Sequence, residues 1–124
     1  MENNIFCRNL SMLVDFYELT MAKGYLEEGI GDKVAVFDMF FRKVPDGGGF
    51  AVMAGLEQFI EVIDNFGFIE GDITYLRGKG MFSEAFLGYL RDFEFHCNVW
   101  AVEEGTPIFP GEPIVTVEGP CIEA

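Results

Sequence analysis

Glycine and proline recur so closely that no segment of this chain can form a long element. Gly29 and Gly31, the turn Pro45-Asp46-Gly47-Gly48-Gly49, Gly67, Glu103-Glu104-Gly105-Thr106-Pro107 and Pro110-Gly111-Glu112-Pro113 divide it into short pieces. Asp15-Phe16-Tyr17-Glu18 has the form of a capping box, which predicts a helix from there to Glu28, stopped by Gly29 and Gly31. From Lys33 to Arg42, Val34, Val36, Phe37, Phe40 and Phe41 suggest a strand apolar on both faces, hence covered on both sides. Phe50 to Ala54 is expected to return beside it as a hairpin. Leu56, Phe59, Ile60, Ile63 and Phe66 follow at helical spacing, with Gly67 as the expected C-cap. Two shorter helices are predicted next, one around Asp72 to Lys79 and one capped by Ser83 with Phe86, Leu87 and Leu90 on its inner face. Val99 to Val102 and Ile114 to Val117 read as strands. The expected class is α+β, in one domain spanning residues 1–124.

Composition narrows the partners. Half of the residues are hydrophobic and 14 are Phe, while a domain of this size hides only about two-thirds of the surface of its unfolded chain. Some of that apolar surface is expected to face a second domain or subunit. No apolar run approaches the roughly 20 residues of a membrane span, and Met1-Glu2-Asn3-Asn4 lacks the basic start of a signal peptide. Cys7, Cys97 and Cys121 are odd in number and far apart, which suits a reducing cytoplasm and predicts no metal site. A net charge of −13 argues against nucleic acid and anionic membrane, which are bound through clustered cations. The only adjacent basic pair is Arg42-Lys43. An anionic ligand would have to be met there.

The run Asp15-Phe16-Tyr17-Glu18-Leu19-Thr20-Met21-Ala22 resembles the opening helix of nicotinate phosphoribosyltransferases. Phe37-Asp38-Met39-Phe40-Phe41-Arg42-Lys43, the triple glycine ending at Gly49, Ala54-Gly55-Leu56-Glu57, Tyr75-Leu76-Arg77, Glu104-Gly105-Thr106, Phe109-Pro110-Gly111-Glu112-Pro113 and Val117-Glu118-Gly119-Pro120 are similar to that family in order and spacing. The resemblance implies the N-terminal domain of a type II phosphoribosyltransferase, with helices, a small mixed sheet and a barrel-sandwich-like β segment. It also implies that the family's α/β barrel, its site for phosphoribosyl pyrophosphate and its phosphorylated histidine lie outside residues 1–124. The complete enzyme is then expected to join nicotinate to phosphoribosyl pyrophosphate in NAD salvage, with ATP and Mg2+ as cofactors, as a cytoplasmic homodimer whose site is shared across the interface. No catalytic residue is expected within the fragment, which should be inactive alone.

On pattern alone Tyr17 is a packing aromatic of an amphipathic helix. The resemblance makes it the wall on which nicotinate stacks, contributed to the site of a second subunit. Such stacking is worth about 0.5–1.5 kcal/mol beyond burial. Asp15 and Thr20 are candidates on the nicotinate side, although helix capping accounts for Asp15 and a bond to a backbone carbonyl would account for Thr20. Arg42 and Lys43, at a strand end, are candidates for phosphate contact or are simply solvated charges. Gly47-Gly48-Gly49 opens a strand and not a helix, so it reads as a hairpin turn and not as a phosphate loop. His96 has no accompanying ligand or nucleophile and reads as structural, and the pairs Glu27-Glu28 and Glu103-Glu104 read as solvated. Two other classes of function stand beside the enzyme. Val102 to Gly119 resembles a biotinyl or lipoyl sandwich, but no Lys follows Lys79 to carry the cofactor. A non-catalytic binding or regulatory module that docks onto a phosphoribosyltransferase is compatible with the same residues.

Overall fold

The computed structural model describes residues 9–124. The readings of Met1 to Asn4 and of Cys7 fall outside them. Helix α1, Phe16–Glu27, begins after Asp15 in extended geometry, but the expected capping box is not formed. The Asp15 side chain makes no cap bond, and only its carbonyl accepts from Glu18 N–H, at 3.0 Å. Asp15 instead stays exposed, where water competes for the carboxylate. The helix closes as read: Gly29 takes a φ of +66°, open to glycine without steric cost, and the amides of Ile30 and Gly31 fold back to Tyr25 O.

Helices α3, Glu70–Gly78, and α4, Glu84–Arg91, pack with α1 around Leu19, Ile73, Leu76, Phe86, Leu87 and Leu90. Burying each of the larger side chains contributes about 1.5–3 kcal/mol. Ser83 caps α4 as expected, its Oγ accepting from Phe86 N–H at 3.3 Å. The Arg77 guanidinium grips Glu84 through Nε and an Nη at 2.7 and 2.9 Å, and Arg91 holds Glu70 at 2.6 Å, so exposed ion pairs tie the two helices together. The Glu84 carboxyl lies below its ordinary range because Arg77 donates to it.

The β half is a three-stranded sheet in the order β1-β5-β3, formed by Val34–Met39, Val115–Pro120 and Asn98–Ala101. Phe37 and Val99 both face Val117 in register. A second, two-stranded sheet pairs β2, Ala51–Val52, with β4, Pro107–Ile108. Every described pairing is antiparallel, so the sheet is not mixed. Nor does the expected hairpin form, since β2 pairs with β4 and not with β1. Residues 40–50 separate β1 from β2, against roughly two to five in a hairpin loop, and they make a 3-10 turn of their own at Pro45–Gly47. The longer ladder with β5 takes the place beside β1. Met53, Ile108 and Val115 form the core between the two sheets.

Two further readings change. Strand β1 is not covered on both sides: Val34 is 73% and Val36 55% exposed on its outer face, over which no described element packs, and Phe37 and Met39 on the other face are also exposed, Phe37 at the side of an open cleft. Helix α2, Leu56–Asp64, ends at Asn65 and not at Gly67. Asn65 satisfies the last turn by donating its Nδ2 to Glu61 O at 2.7 Å, and Gly67 N–H is left to donate to the buried Ser11 hydroxyl at 2.8 Å.

Candidate functional site

Helix α1, helix α2 and the inner face of the sheet do not close on one another. They leave a cleft of about 560 Å³ walled by Tyr17, Met21 and Tyr25 from α1, Phe59, Val62 and Ile63 from α2, and Phe37 and Val117 from the sheet. Phe66, Phe93 and Phe95 close one side, the first two as an edge-on aromatic pair with centroids 5.3 Å apart. Period-two alternation puts Phe37 on this face, and helical spacing puts Tyr17, Met21 and Tyr25 on one side of α1. Tyr17 is 58% exposed at the wall of this cleft.

The charged side chains of the lining, Glu18 and Glu123, are both acidic. A flat aromatic molecule finds a wall here, whereas the carboxylate of such a molecule finds no cation in the lining. Of the five candidate residues only Tyr17 lines the cleft. Thr20 lies one turn on, and its hydroxyl is spent donating to Tyr17 O at 2.8 Å. Asp15 is exposed just before the helix. Arg42 and Lys43 are exposed beyond the end of β1 and pair with no carboxylate among the described residues. In a chain so acidic, two adjacent unpaired cations are the natural landing place for an anion. Gly47-Gly48-Gly49 leads from the 3-10 turn into β2, with Gly47 at φ +70°.

Beside the cleft, His96 binds the turn that follows β5. Its N–H donates to Glu123 Oε2 at 2.8 Å, and its ring nitrogens lie 3.4 Å from Glu123 and 3.3 Å from Glu94. Tyr89 nearby has its phenol pushed up to about 12, first by burial and then by the negative surroundings of Glu123 and Asp32. Burial likewise raises the Cys97 thiol. Among the described residues no group of three His, Cys, Asp or Glu is placed to hold a metal ion, and no helix is long and apolar enough to cross a membrane.

The residue that sequence reading missed is Glu104, read as solvated. Its two carboxylate oxygens accept from Gly55 N–H at 3.0 Å and Leu56 N–H at 2.9 Å, at the start of α2. No local pattern joins positions so far apart; the single hint is a glycine before a helix, which brings no capping side chain of its own.

Residues 12–124 match the sequence profile of the family described as nicotinate phosphoribosyltransferase (NAPRTase) N-terminal domain. The chain is 46% identical over 114 residues to nicotinate phosphoribosyltransferase pncB2 of Mycobacterium tuberculosis, covering 92% of this chain and 24% of that one. It is 41% identical over 116 residues to nicotinate phosphoribosyltransferase of Bacillus subtilis, covering 94% and 24%. Its fold is similar to that of human nicotinic acid phosphoribosyltransferase, with a TM-score of 0.79 at 34% identity, over 89% of this chain and 23% of the human one. The chain thus spans about a quarter of the length of these relatives. The α+β class expected from the sequence is the one observed.

Proposed function

The chain belongs to the nicotinate phosphoribosyltransferase family, and from that premise we propose that it serves as the N-terminal domain of an enzyme that transfers the phosphoribosyl group of phosphoribosyl pyrophosphate to nicotinate. The products are nicotinate mononucleotide and pyrophosphate, and the step belongs to NAD salvage in the cytoplasm. One observation carries the reading: the Tyr17 ring stands exposed at an apolar cleft large enough for a pyridine ring. Stacking holds such a ring flat without fixing its charge. The carboxylate then requires cations from elsewhere, because the lining offers only Glu18 and Glu123. A homodimer supplies them if each subunit lends Tyr17 to a site completed by the other. Arg42 and Lys43, exposed and paired with no carboxylate among the described residues, are assigned to phosphate oxygens, where a guanidinium fork engages two at once. Thr20 is assigned to setting the Tyr17 turn through its bond to Tyr17 O, and Asp15, exposed just before the helix, to the nicotinate side of the site.

ATP and Mg2+ are assigned to the complete enzyme. We further assign residues 1–124 to a single domain that is inactive alone. The test is to supply the purified chain with nicotinate, phosphoribosyl pyrophosphate, ATP and Mg2+ and follow nicotinate mononucleotide. No product is expected from it, while in the assembled full-length enzyme nuclear magnetic resonance should show nicotinate perturbing the Tyr17 ring signals and those of the cleft. Turnover by this chain would refute the assignment of the catalytic groups. Perturbations confined to other surfaces would refute the role of Tyr17.

A further inference from the structure

We infer that Glu104 is a positioning residue that latches helix α2 as the wall of the cleft facing Tyr17. The inference rests on the reading of that cleft as the nicotinate site, but the latch itself is argued from geometry. Helix α2 supplies Phe59, Val62 and Ile63 to the cleft, yet none of its side chains is fully buried. Packing alone therefore holds it less firmly than α3 or α4, whose Ile73, Leu76, Phe86 and Leu87 are wholly enclosed. Its first turn also lacks a cap of its own, because Gly55 stands at the N-cap in left-handed geometry, φ +99°. The carboxylate of Glu104 takes that place, one oxygen on Gly55 N–H and the other on Leu56 N–H. An anion there also meets the positive end of the helix dipole.

The carboxylate is delivered by backbone and not by chance. Gly105 turns the chain at φ +83° and its N–H donates to Met53 O at 2.8 Å. Met53 N–H in turn donates to Thr106 O at 2.9 Å, next to the β2–β4 pairing. Glu104 thus projects from a ladder that is itself anchored by the buried Met53 and Ile108. The motif Glu104-Gly105-Thr106 gains a role in this way: Glu104 grips α2, Gly105 makes the turn, and Thr106 closes the ladder through its carbonyl. Moving α2 outward would separate Phe59 and Ile63 from the ring they face across the cleft.

The experiment is amide hydrogen exchange on the whole chain, comparing the wild type with Glu104→Ala, Glu104→Gln and, as controls, Glu103→Gln and Glu28→Gln. Two bonds to a charged acceptor are lost in Glu104→Ala, so the amides of Leu56–Asp64 should exchange about ten-fold faster or more while those of Glu70–Gly78 and Glu84–Arg91 keep their rates. Glu104→Gln keeps one acceptor oxygen and should recover part of the protection, to within about three-fold of the wild type. Both controls should match the wild type. Unchanged exchange in α2, or equal acceleration of all helices, overturns the latch. If Glu104→Ala does not fold, Glu104→Gln decides alone, with selective acceleration of α2 expected and wild-type rates refuting it. The readout contains no ligand. A selective effect together with failure of nicotinate to perturb Tyr17 would keep the latch and remove the nicotinate reading, and the reverse result would do the opposite.

Discussion

A tyrosine with more than half of its surface open to solvent, on a helix whose Leu19 two residues on is buried, is not packed within this chain. If nicotinate stacks on it, Tyr17→Ala removes about 0.5–1.5 kcal/mol of binding and leaves Tyr17→Phe close to the wild type. Nicotinate titration of the assembled full-length enzyme, carrying each substitution, checks this, and equal losses in both variants would point to the hydroxyl instead. Tyr89 makes a prediction about pH. Its phenol is raised to about 12 by burial first and then by Glu123, against about 10 in an unfolded chain. The folded state therefore keeps its proton longer, and the contribution of Tyr89 is whole below pH about 10 and is lost as pH rises toward about 12. Thermal midpoints should fall across that window, and Tyr89→Phe should remove the Tyr89 share of the fall. A midpoint profile identical in the variant would show that Tyr89 does not titrate as placed. Neither tyrosine announced its environment in the sequence. Tyr17 stood out by resemblance alone, and Glu104 stayed hidden because its partners lie 48 and 49 positions away.

At the scale of elements, the helices were legible and the strand pairings were not. Helical spacing repeats within one turn, so Phe86, Leu87 and Leu90 could be placed on the inner face of α4 from the sequence, and all three are buried. Strand pairing is set by distant partners. Nothing in Phe50 to Ala54 distinguishes β1 from β4 as a neighbour, and the outcome depends on β5, which occupies β1 from Val34 to Met39. Capping shows the same division. Ser83 and Asp15 look alike as N-cap residues, but only Ser83 makes a side-chain bond into its helix. Ser83→Ala should then cost about 1 kcal/mol, and Asp15→Ala less than about 0.5 kcal/mol. Urea unfolding of the two variants measures both, and an Asp15 loss equal to that of Ser83 would mean that the capping box forms in solution.

For the molecule as a whole, the apolar surplus read from composition has a definite address. Val34, Val36 and Trp100 share the outer face of the sheet through the register of β1, β5 and β3, where a polar tie crosses it as Thr116 Oγ1 donates to Asp38 at 2.6 Å. The other address is the cleft lined by Tyr17, Phe37 and Phe59. Surfaces of this kind are covered in stable assemblies, since contiguous apolar patches of several hundred Å² seldom face water on a monomer. Charge opposes the covering: a net −13 repels a second copy at long range, and salt shortens that range to about 10 Å at 0.1 M. Association should therefore strengthen as salt is added, opposite to the behaviour of an interface held by ion pairs. Light scattering across a salt series, with a fluorescent apolar dye competing for the open face, reports it directly. A monodisperse monomer at every salt concentration, with no dye bound, would mean that these faces are content in water and that neither a second subunit nor a further domain is needed to cover them.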